Sequence, residues 1–187
     1  HCQNGTDTFL KETLSIAKTI TEKPLLARFD SGNDSINNIK VCLTPETKAD
    51  YIIKRNIRKE SKENWLKTAE ENAEKVESTL ERDVFIGSTC LQREEVEHPL
   101  RVVYKISMVK SKKGQLLIIP EIEVETYWTS LDYAPKKIIE LYHLHGKSEQ
   151  FHSEIKTDLD IERLPSGKFK TNALILHLGI MAYNILR

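Results

Sequence analysis

The sequence predicts a mixed α/β fold in which a β-rich segment separates two α/β parts. Up to about residue 60, the pattern is a strand, a helix and a strand at the spacing of a βαβ unit. From about residue 61 to 125, three β runs alternate with turn residues, and beyond that the pattern becomes helical. We interpret the middle segment as an insertion into an α/β core.

The first part begins with a predicted helix. TDTFLKETLSIAKTITEK has a threonine at a capping position, and Phe9, Leu10 and Leu14 are among its apolar residues at helical spacing. PLLARFD is a short apolar run that indicates a buried strand ending at Asp30. SINNIKVCL predicts a short helix and ADYIIKR a second strand. Because a helix connects the two strands, we expect them to be parallel.

The middle part has a different pattern of apolar and polar residues. SKENWLKTAEENAEKVESTLER predicts a charged helix with few apolar positions. DVFIGSTCLQ, LRVVYKISMVK and LLIIPEIEVETYW predict strands; in the second, Val102, Tyr104, Ile106 and Met108 alternate with mostly polar neighbours. SKKGQ supplies the hairpin turn before the third strand. This pattern is typical of antiparallel sheet.

The last part is helical. Pro135 is suited to the first turn of a helix, and KKIIELYHL and SEQFHSEIKTDL continue the helical pattern. TNALILHLGIMAYNIL is apolar almost all round, which predicts a buried core helix. It is shorter than a bilayer-spanning segment, so we expect no association with a membrane.

The composition sets limits on function. The 187 residues include 28 basic and 28 acidic side chains, whereas nucleic-acid-binding domains usually carry a basic excess. A neutral total is nevertheless compatible with a basic groove beside an acidic surface. The three cysteines are scattered, and with the six histidines they never reach zinc-ligand spacing. We therefore expect a soluble protein of a reducing compartment, the cytoplasm.

Two features of the sequence carry chemistry, and the first is Asp30. It ends a buried strand and is followed by Ser31 and Gly32. In open α/β sheets, ligands bind at the carboxyl ends of the strands. The alternative is that Asp30 only caps the helix that begins near Ser35.

The second feature is a polar stripe within LYHLHGKSEQFHSEIK. Tyr142, Glu149 and Lys156 are seven and fourteen residues apart, and His145 and His152 share their phase. On a continuous helix these side chains point to one side, whereas a stripe that faces a core should be apolar. The alternative is a solvated stripe on a helix whose apolar side packs inward; that side comprises Leu144, Phe151, Ile155 and Leu159.

Together these features resemble a known family. The spacing of Tyr142, His145, Glu149 and Lys156 resembles the Y-R-E-K box of the DDE transposases of bacterial insertion sequences, with histidine in the arginine position. LLARFDSGND resembles the strand that carries the family's second catalytic aspartate, which would be Asp30. YWTSL resembles the strand before the glutamate-bearing helices, and the tail RLPSGKFKTNALILHLGIMAYNILR resembles the closing helix.

The resemblance implies a ribonuclease H-like fold, a mixed sheet with helices on both faces and a β-rich insertion. Residues 1–60 would be the first part of the core, residues 61–125 an insertion subdomain that projects from it, and residues 126–187 the second part with the glutamate-bearing helix. The family's first aspartate lies on an earlier strand, and no residue before Asp30 fits it. We therefore expect the chain to be the C-terminal part of such a transposase.

The implied chemistry is cleavage and joining of DNA phosphodiesters at transposon ends. Asp30 and Glu149 would hold two Mg²⁺ or Mn²⁺ ions, since hard cations prefer carboxylate oxygens. With one acid of three missing, we expect the chain alone to bind metal weakly and to leave DNA uncut. The partners would be transposon-end DNA and target DNA, with a homodimer in the full-length complex and a location at the nucleoid.

The resemblance also implies DNA contacts. Tyr142, His145 and Lys156 would donate to phosphates near the transposon end, His145 without the bidentate fork of an arginine. Trp128 is the candidate for stacking a displaced base, with core packing as its alternative. The basic run IIKRNIRKE would rim the groove or form a solvated loop. Competing functions are a non-catalytic DNA- or partner-binding remnant of a transposase and, less well supported by the box, another ribonuclease H-like nuclease.

Overall fold

The computed structural model describes residues 5–112, 114–144, 150, 153–157, 160 and 163–186. Residues 1–142 form one compact unit and residues 143–187 a second. The helices are α1 (Thr6–Ile20), α2 (Ile36–Leu43), α3 (Lys62–Asn72), α4 (Pro135–His143) and α5 (Phe169–Leu186). The strands are β1 (Leu26–Phe29), β2 (Asp50–Arg55), β3 (Glu74–Ser78), β4 (Arg82–Leu91), β5 (Leu100–Lys112) and β6 (Gln115–Thr129).

The six strands form one mixed sheet in the order β1-β2-β6-β5-β4-β3. β1 and β2 are parallel, and every other neighbouring pair is antiparallel. The α/β class and the parallel βαβ beginning are thus confirmed. Because β1 and β2 are parallel, both end at the same edge of the sheet, where Asp30 follows β1 and Asn56 follows β2.

Apolar side chains cover both faces of the sheet. Ile53, Val102 and Trp128 belong to one core cluster, which also contains residues of α1, α2 and α3. Their chain neighbours Ile52, Val103 and Tyr127 belong to a second cluster, which contains Ile138 and Ile139 of α4. Successive side chains of a strand point to opposite faces. Residues 51–53 of β2, 102–104 of β5 and 127–128 of β6 are therefore apolar at successive positions, as expected where a sheet is buried on both sides.

Residues 61–125 differ from the expected projecting subdomain. Their strands extend the sheet that β1 and β2 begin. The physical reason is the length of β6, whose 15 residues pair with β5 along most of their length and with β2 at the carboxyl end. One continuous strand thus joins the meander β3–β6 to the βαβ unit.

The predicted helix of residues 61–82 is too long. α3 ends at Asn72, and Glu74–Ser78 form β3, which pairs with β4. The helical pattern there has few apolar residues, so pairing with an available strand edge outweighs a weak helical preference. The predicted hairpin between β5 and β6 is confirmed: Lys112 pairs with Gln115, and Gly114 has a φ of 78°, which glycine adopts without strain.

The second unit contains residues 153–157, which are helical, and α5. The Tyr183 hydroxyl of α5 donates a hydrogen bond to the Glu154 carboxylate. No residue of α5 is buried, which differs from the predicted core helix. Among the described residues, no helix combines the length and apolar composition needed to cross a bilayer.

A buried carboxylate fastens the outer strands. Asp83 of β4 is 4% exposed, lies 2.9 Å from the Lys110 ammonium of β5 and 3.4 Å from the Lys75 ammonium of β3, and accepts a hydrogen bond from the Ser78 hydroxyl at 2.8 Å. Hydrogen bonding from Lys110, with a smaller contribution from Ser78, lowers the pKa of Asp83 to about 2. The charged form of Asp83 therefore stabilises the folded chain.

This arrangement predicts acid sensitivity. The folded-state pKa of Asp83 is depressed from 3.8 to about 2, so its contribution is complete above pH 3.8 and is lost as the pH falls towards 2. Urea unfolding of Asp83→Asn should show a lower free energy of unfolding at neutral pH and less change between pH 4 and 2. The control Asp132→Asn removes a fully exposed carboxylate and should keep the wild-type pH profile. Equal pH profiles for wild type and Asp83→Asn would contradict the assignment.

Two buried tyrosines predict opposite effects of one substitution. The hydroxyl of Tyr104 has no hydrogen-bond partner among the described residues, whereas that of Tyr127 donates to Glu125 at 2.7 Å. Tyr104→Phe should leave the free energy of unfolding unchanged or raise it by about 1 kcal/mol, since an unpaired buried hydroxyl is unfavourable. Tyr127→Phe should lower it by about 1 kcal/mol. Urea denaturation measures both, and changes of the same sign would contradict this account.

Candidate active site at the carboxyl ends of β1 and β2

Asp30 lies at the sheet edge that the sequence predicts. It directly follows β1 and begins the 3-10 turn Ser31–Asn33, and its exposed carboxylate accepts a hydrogen bond from the Asn33 side chain at 2.9 Å. A Cβ atom at position 32 would lie 3.2 Å from Oδ1 of Asp30, so Gly32 avoids crowding that oxygen.

The capping alternative for Asp30 is wrong. The N-cap of α2 is Ser35, whose hydroxyl accepts a hydrogen bond from the backbone N–H of Asn37 at 3.2 Å. The Asp30 side chain makes no capping bond to the 3-10 turn either. Its carboxylate is therefore exposed to solvent at the strand end and does not cap the N-terminus of α2.

A second aspartate, which the sequence analysis missed, supports this edge. Asp34 is 8% exposed. Its carboxylate accepts hydrogen bonds from the Trp128 indole N–H at 2.9 Å and from the backbone N–H of Asn56 at 3.0 Å. The Asn56 side chain in turn donates to the carbonyl of Ser31 at 2.8 Å. Asp34 thus joins the loop after β1 to the end of β2 and to β6.

Comparison with known protein families adds an independent finding. Residues 1–187 match the family described as transposase DDE domain group 1. The chain belongs to this family. A comparison with curated proteins finds no match. The family carries out DNA transposition, so the substrate class of this transposase domain is DNA.

Trp128 lies in the core of the transposase domain. It is 2% exposed, and the guanidinium groups of Arg55 and Arg93 lie 5.0 and 5.4 Å from the centre of its ring. This position agrees with core packing, the alternative to base stacking. A base could stack on Trp128 only if the ring became exposed.

Tyr142 is half-buried on α4, on the sheet face opposite α1–α3. Its ring centre lies 4.8 Å from that of Tyr127. Burial, together with the hydrogen bond to Glu125, raises the pKa of Tyr127, so that hydroxyl stays protonated. Arg28, two residues before Asp30, donates to the Leu141 carbonyl at 2.8 Å, which ties the end of α4 to β1.

The rest of the predicted box is described only in part. His145, Glu149 and His152 lie outside the described residues. Lys156 is exposed on the short helical stretch of the second unit. The described structure therefore brings Asp30, Asn33 and Gly32 together at one edge, and it leaves the predicted pairing of Asp30 with Glu149 a prediction.

Asp30 has the donor chemistry of a ligand for a hard divalent cation. Asp34, four residues on, is already occupied by two N–H groups. Within the described ranges, no three histidine, cysteine or acidic side chains are grouped closely enough to hold a metal ion. A metal site at this edge therefore needs a further carboxylate, and Glu149 is the sequence-predicted one.

We expect Asp34 to be needed for stability and Asp30 not to be. Asp34→Ala would leave the buried Trp128 indole N–H without its acceptor and should lower the free energy of unfolding by about 1–3 kcal/mol. Asp30→Ala removes an exposed carboxylate and should change it by less than about 0.5 kcal/mol. Urea denaturation of the two variants measures the difference. A loss with Asp30→Ala as large as that with Asp34→Ala would show that Asp30 is a structural residue.

Proposed function

We propose that this chain is part of the catalytic core of a metal-dependent DDE transposase that cleaves and joins DNA phosphodiesters at transposon ends. The observation that carries the proposal is the exposed Asp30 carboxylate at the carboxyl end of parallel strands, in a chain that matches a transposase DDE family along its length. Family membership alone supplies the substrate class. The position of Asp30 supplies a carboxylate where a ligand of an open α/β sheet binds.

The finer identity rests on sequence resemblance. The fold would be ribonuclease H-like, with residues 1–60 and 126–187 as its core and residues 61–125 as an insertion that extends the same sheet. The box of Tyr142, His145, Glu149 and Lys156 and the closing helix support membership of the Y-R-E-K group and a C-terminal position in the transposase. Such an enzyme acts on the nucleoid, as a homodimer that holds transposon-end and target DNA.

In this proposal Asp30 and Glu149 hold Mg²⁺ or Mn²⁺. Bound there, such ions would supply Lewis-acid chemistry, the activation of an attacking oxygen and the stabilisation of a leaving oxygen of a phosphodiester. Asp30 contributes an oxygen that faces solvent, and Gly32 keeps side-chain atoms away from it. Tyr142, His145 and Lys156 donate hydrogen bonds to phosphate oxygens of the bound strand.

Hydrogen bonds from neighbouring residues orient the Asp30 carboxylate. Asn33 fixes one carboxylate oxygen, and the Asn56–Ser31 bond fixes the backbone of the turn. Because Asn33 belongs to the same turn and Asn56 follows the packed strand β2, the carboxylate is held before substrate arrives. Such preorganisation reduces the entropy lost in reaching the reactive geometry.

A nicking assay tests the proposal. A labelled transposon-end duplex is incubated with Mn²⁺ and either the 187-residue chain or the same chain extended by its upstream coding sequence. The extended chain should nick the duplex, and Asp30→Asn or Glu149→Gln should abolish nicking. Asp132→Asn makes the same change of charge at a fully exposed site and should nick like the wild type.

The outcomes separate the competing functions. Nicking that survives Asp30→Asn would overturn the active-site assignment. DNA binding without nicking by either chain, unaffected by Asp30→Asn, would favour the non-catalytic DNA-binding remnant.

A further inference from the structure

A groove of about 720 Å³ opens beside Asp34, on the same sheet edge as Asp30. We call it the Arg58 groove; the lining residues that matter here are Asp34, Arg55, Arg58, Lys59, Glu60 and Arg93. Trp128 also lines it. Asn56, another lining residue, donates to the Ser31 carbonyl at 2.8 Å, so the groove adjoins the turn that begins with Asp30.

Two of the carboxylates in the groove are already occupied. Glu60 accepts both hydrogen bonds of the Arg55 guanidinium, which is 2% exposed, and a third from the Trp65 indole N–H at 3.0 Å. Asp34 accepts the Trp128 and Asn56 N–H groups. Two of the three carboxylates in the lining are therefore hydrogen-bonded within the protein. Glu95, at the exposed rim, is the third carboxylate.

Three cations of the lining face solvent. Arg58 is 71% exposed and lies 3.8 Å from Asp34, and Arg93 is 38% exposed and lies 3.9 Å from Glu60. Both distances are at the outer limit of an ion pair, and both carboxylates have closer partners. Lys59 is exposed and forms no ion pair within the part of the chain that the structure describes. Arg58 also donates to the Asp34 carbonyl at 3.4 Å, and Arg93 lies over the Trp128 ring. Neither contact neutralises a charge, so all three cations attract an external anion.

The backbone conformation of Arg58 is a second indication of a binding site. Its φ is 51°, in the left-handed region that a residue with a long side chain seldom adopts. Holding such a residue there is unfavourable, and such strain clusters at ligand-binding sites. Glycine would adopt this conformation without strain, yet the position carries a guanidinium at the mouth of the groove.

We propose that the Arg58 groove binds a phosphodiester of the DNA strand that passes Asp30, through Arg58, Lys59 and Arg93. The proposal rests on the proposed function for its substrate class and adds to it a phosphate subsite outside the predicted box. A guanidinium fork matches two phosphate oxygens, and lysine adds a point charge. The groove, at about 720 Å³, has room for one nucleotide.

The test is DNA binding without metal. Fluorescence anisotropy in EDTA measures the association constant K of the full chain for labelled DNA between 50 and 300 mM salt. The DNA is a duplex of about 20 base pairs or a single strand of about 20 nucleotides. Each of Arg58→Ala, Lys59→Ala and Arg93→Ala should reduce the slope of log K against log salt concentration by about 0.9 on duplex or about 0.7 on a single strand. The triple variant should reduce it by roughly the sum of the three.

A control triple variant, Lys11→Ala, Lys67→Ala and Lys136→Ala, removes the same charge from exposed positions on α1, α3 and α4. It should keep the wild-type slope. Arg58 and Lys59 are exposed, so their variants should keep the wild-type melting temperature. Arg93→Lys keeps the charge and should retain most of the slope if Arg93 contacts phosphate.

The outcomes distinguish this proposal from the proposed function. Equal loss of slope in the groove and control variants, or no loss in the groove variants, would overturn the groove and leave the nicking test of Asp30 untouched. Absence of DNA binding by the wild type at 50 mM salt would also overturn it. A slope change specific to the groove, together with nicking that survives Asp30→Asn, would retain the groove as a DNA site and reject the proposed catalytic role.

Discussion

The buried carboxylate of Asp34 is the constraint on which the candidate site depends. It receives the indole N–H of Trp128 from β6 and the backbone N–H of Asn56 from the end of β2. Hydrogen bonds to a charged group contribute about 1.5–3 kcal/mol each, and a buried carboxylate without partners is strongly unfavourable. The chain after β1 must therefore return to the sheet within four residues of Asp30, which leaves the Asp30 carboxylate at the surface of a fixed turn.

Arg55 extends this constraint across the sheet edge. It is buried at the end of β2, binds both oxygens of Glu60 and lies over the rings of Trp65 and Trp128. Each arginine–tryptophan contact contributes about 0.5–2 kcal/mol, more where water is excluded. The ends of β2 and β6 and the start of α3 are thus joined by polar and cation–π contacts rather than by apolar packing alone. A sheet edge built in this way resists rearrangement, because moving one residue breaks several directional contacts.

The strongest patterns of the sequence predicted the matching elements correctly. The βαβ beginning has a clear change of period and short connections, and the hairpin has a glycine where a positive φ is needed. The helix prediction was wrong at Glu74–Ser78 because the few apolar residues there fit a helix and a strand alike. Pairing with β4 decides for the strand. The sheet-wide role of β6 was not predictable from composition, since strand order depends on pairing between distant residues.

The candidate site was predictable to a similar degree. A carboxylate at a strand end is visible in PLLARFD, so Asp30 could be named from sequence. Asp34 could not, because nothing local distinguishes an exposed aspartate from one that meets a tryptophan 94 residues away. Trp128 shows the same limit in reverse: its aromatic ring suggested stacking, whereas the fold buries it in the core through residues distant in the sequence.

The equal numbers of basic and acidic residues also have to be interpreted through the fold. The chain carries 28 basic and 28 acidic residues, and a neutral total argues against a DNA-binding surface only if the charges are evenly presented. At this edge they are not. Asp34 and Glu60 are occupied by N–H groups of tryptophan, asparagine and buried arginine, while Arg58 and Lys59 face solvent. Internal hydrogen bonds to Asp34 and Glu60 thus leave Arg58 and Lys59 as exposed cations at this edge, although the sequence has no excess of basic residues.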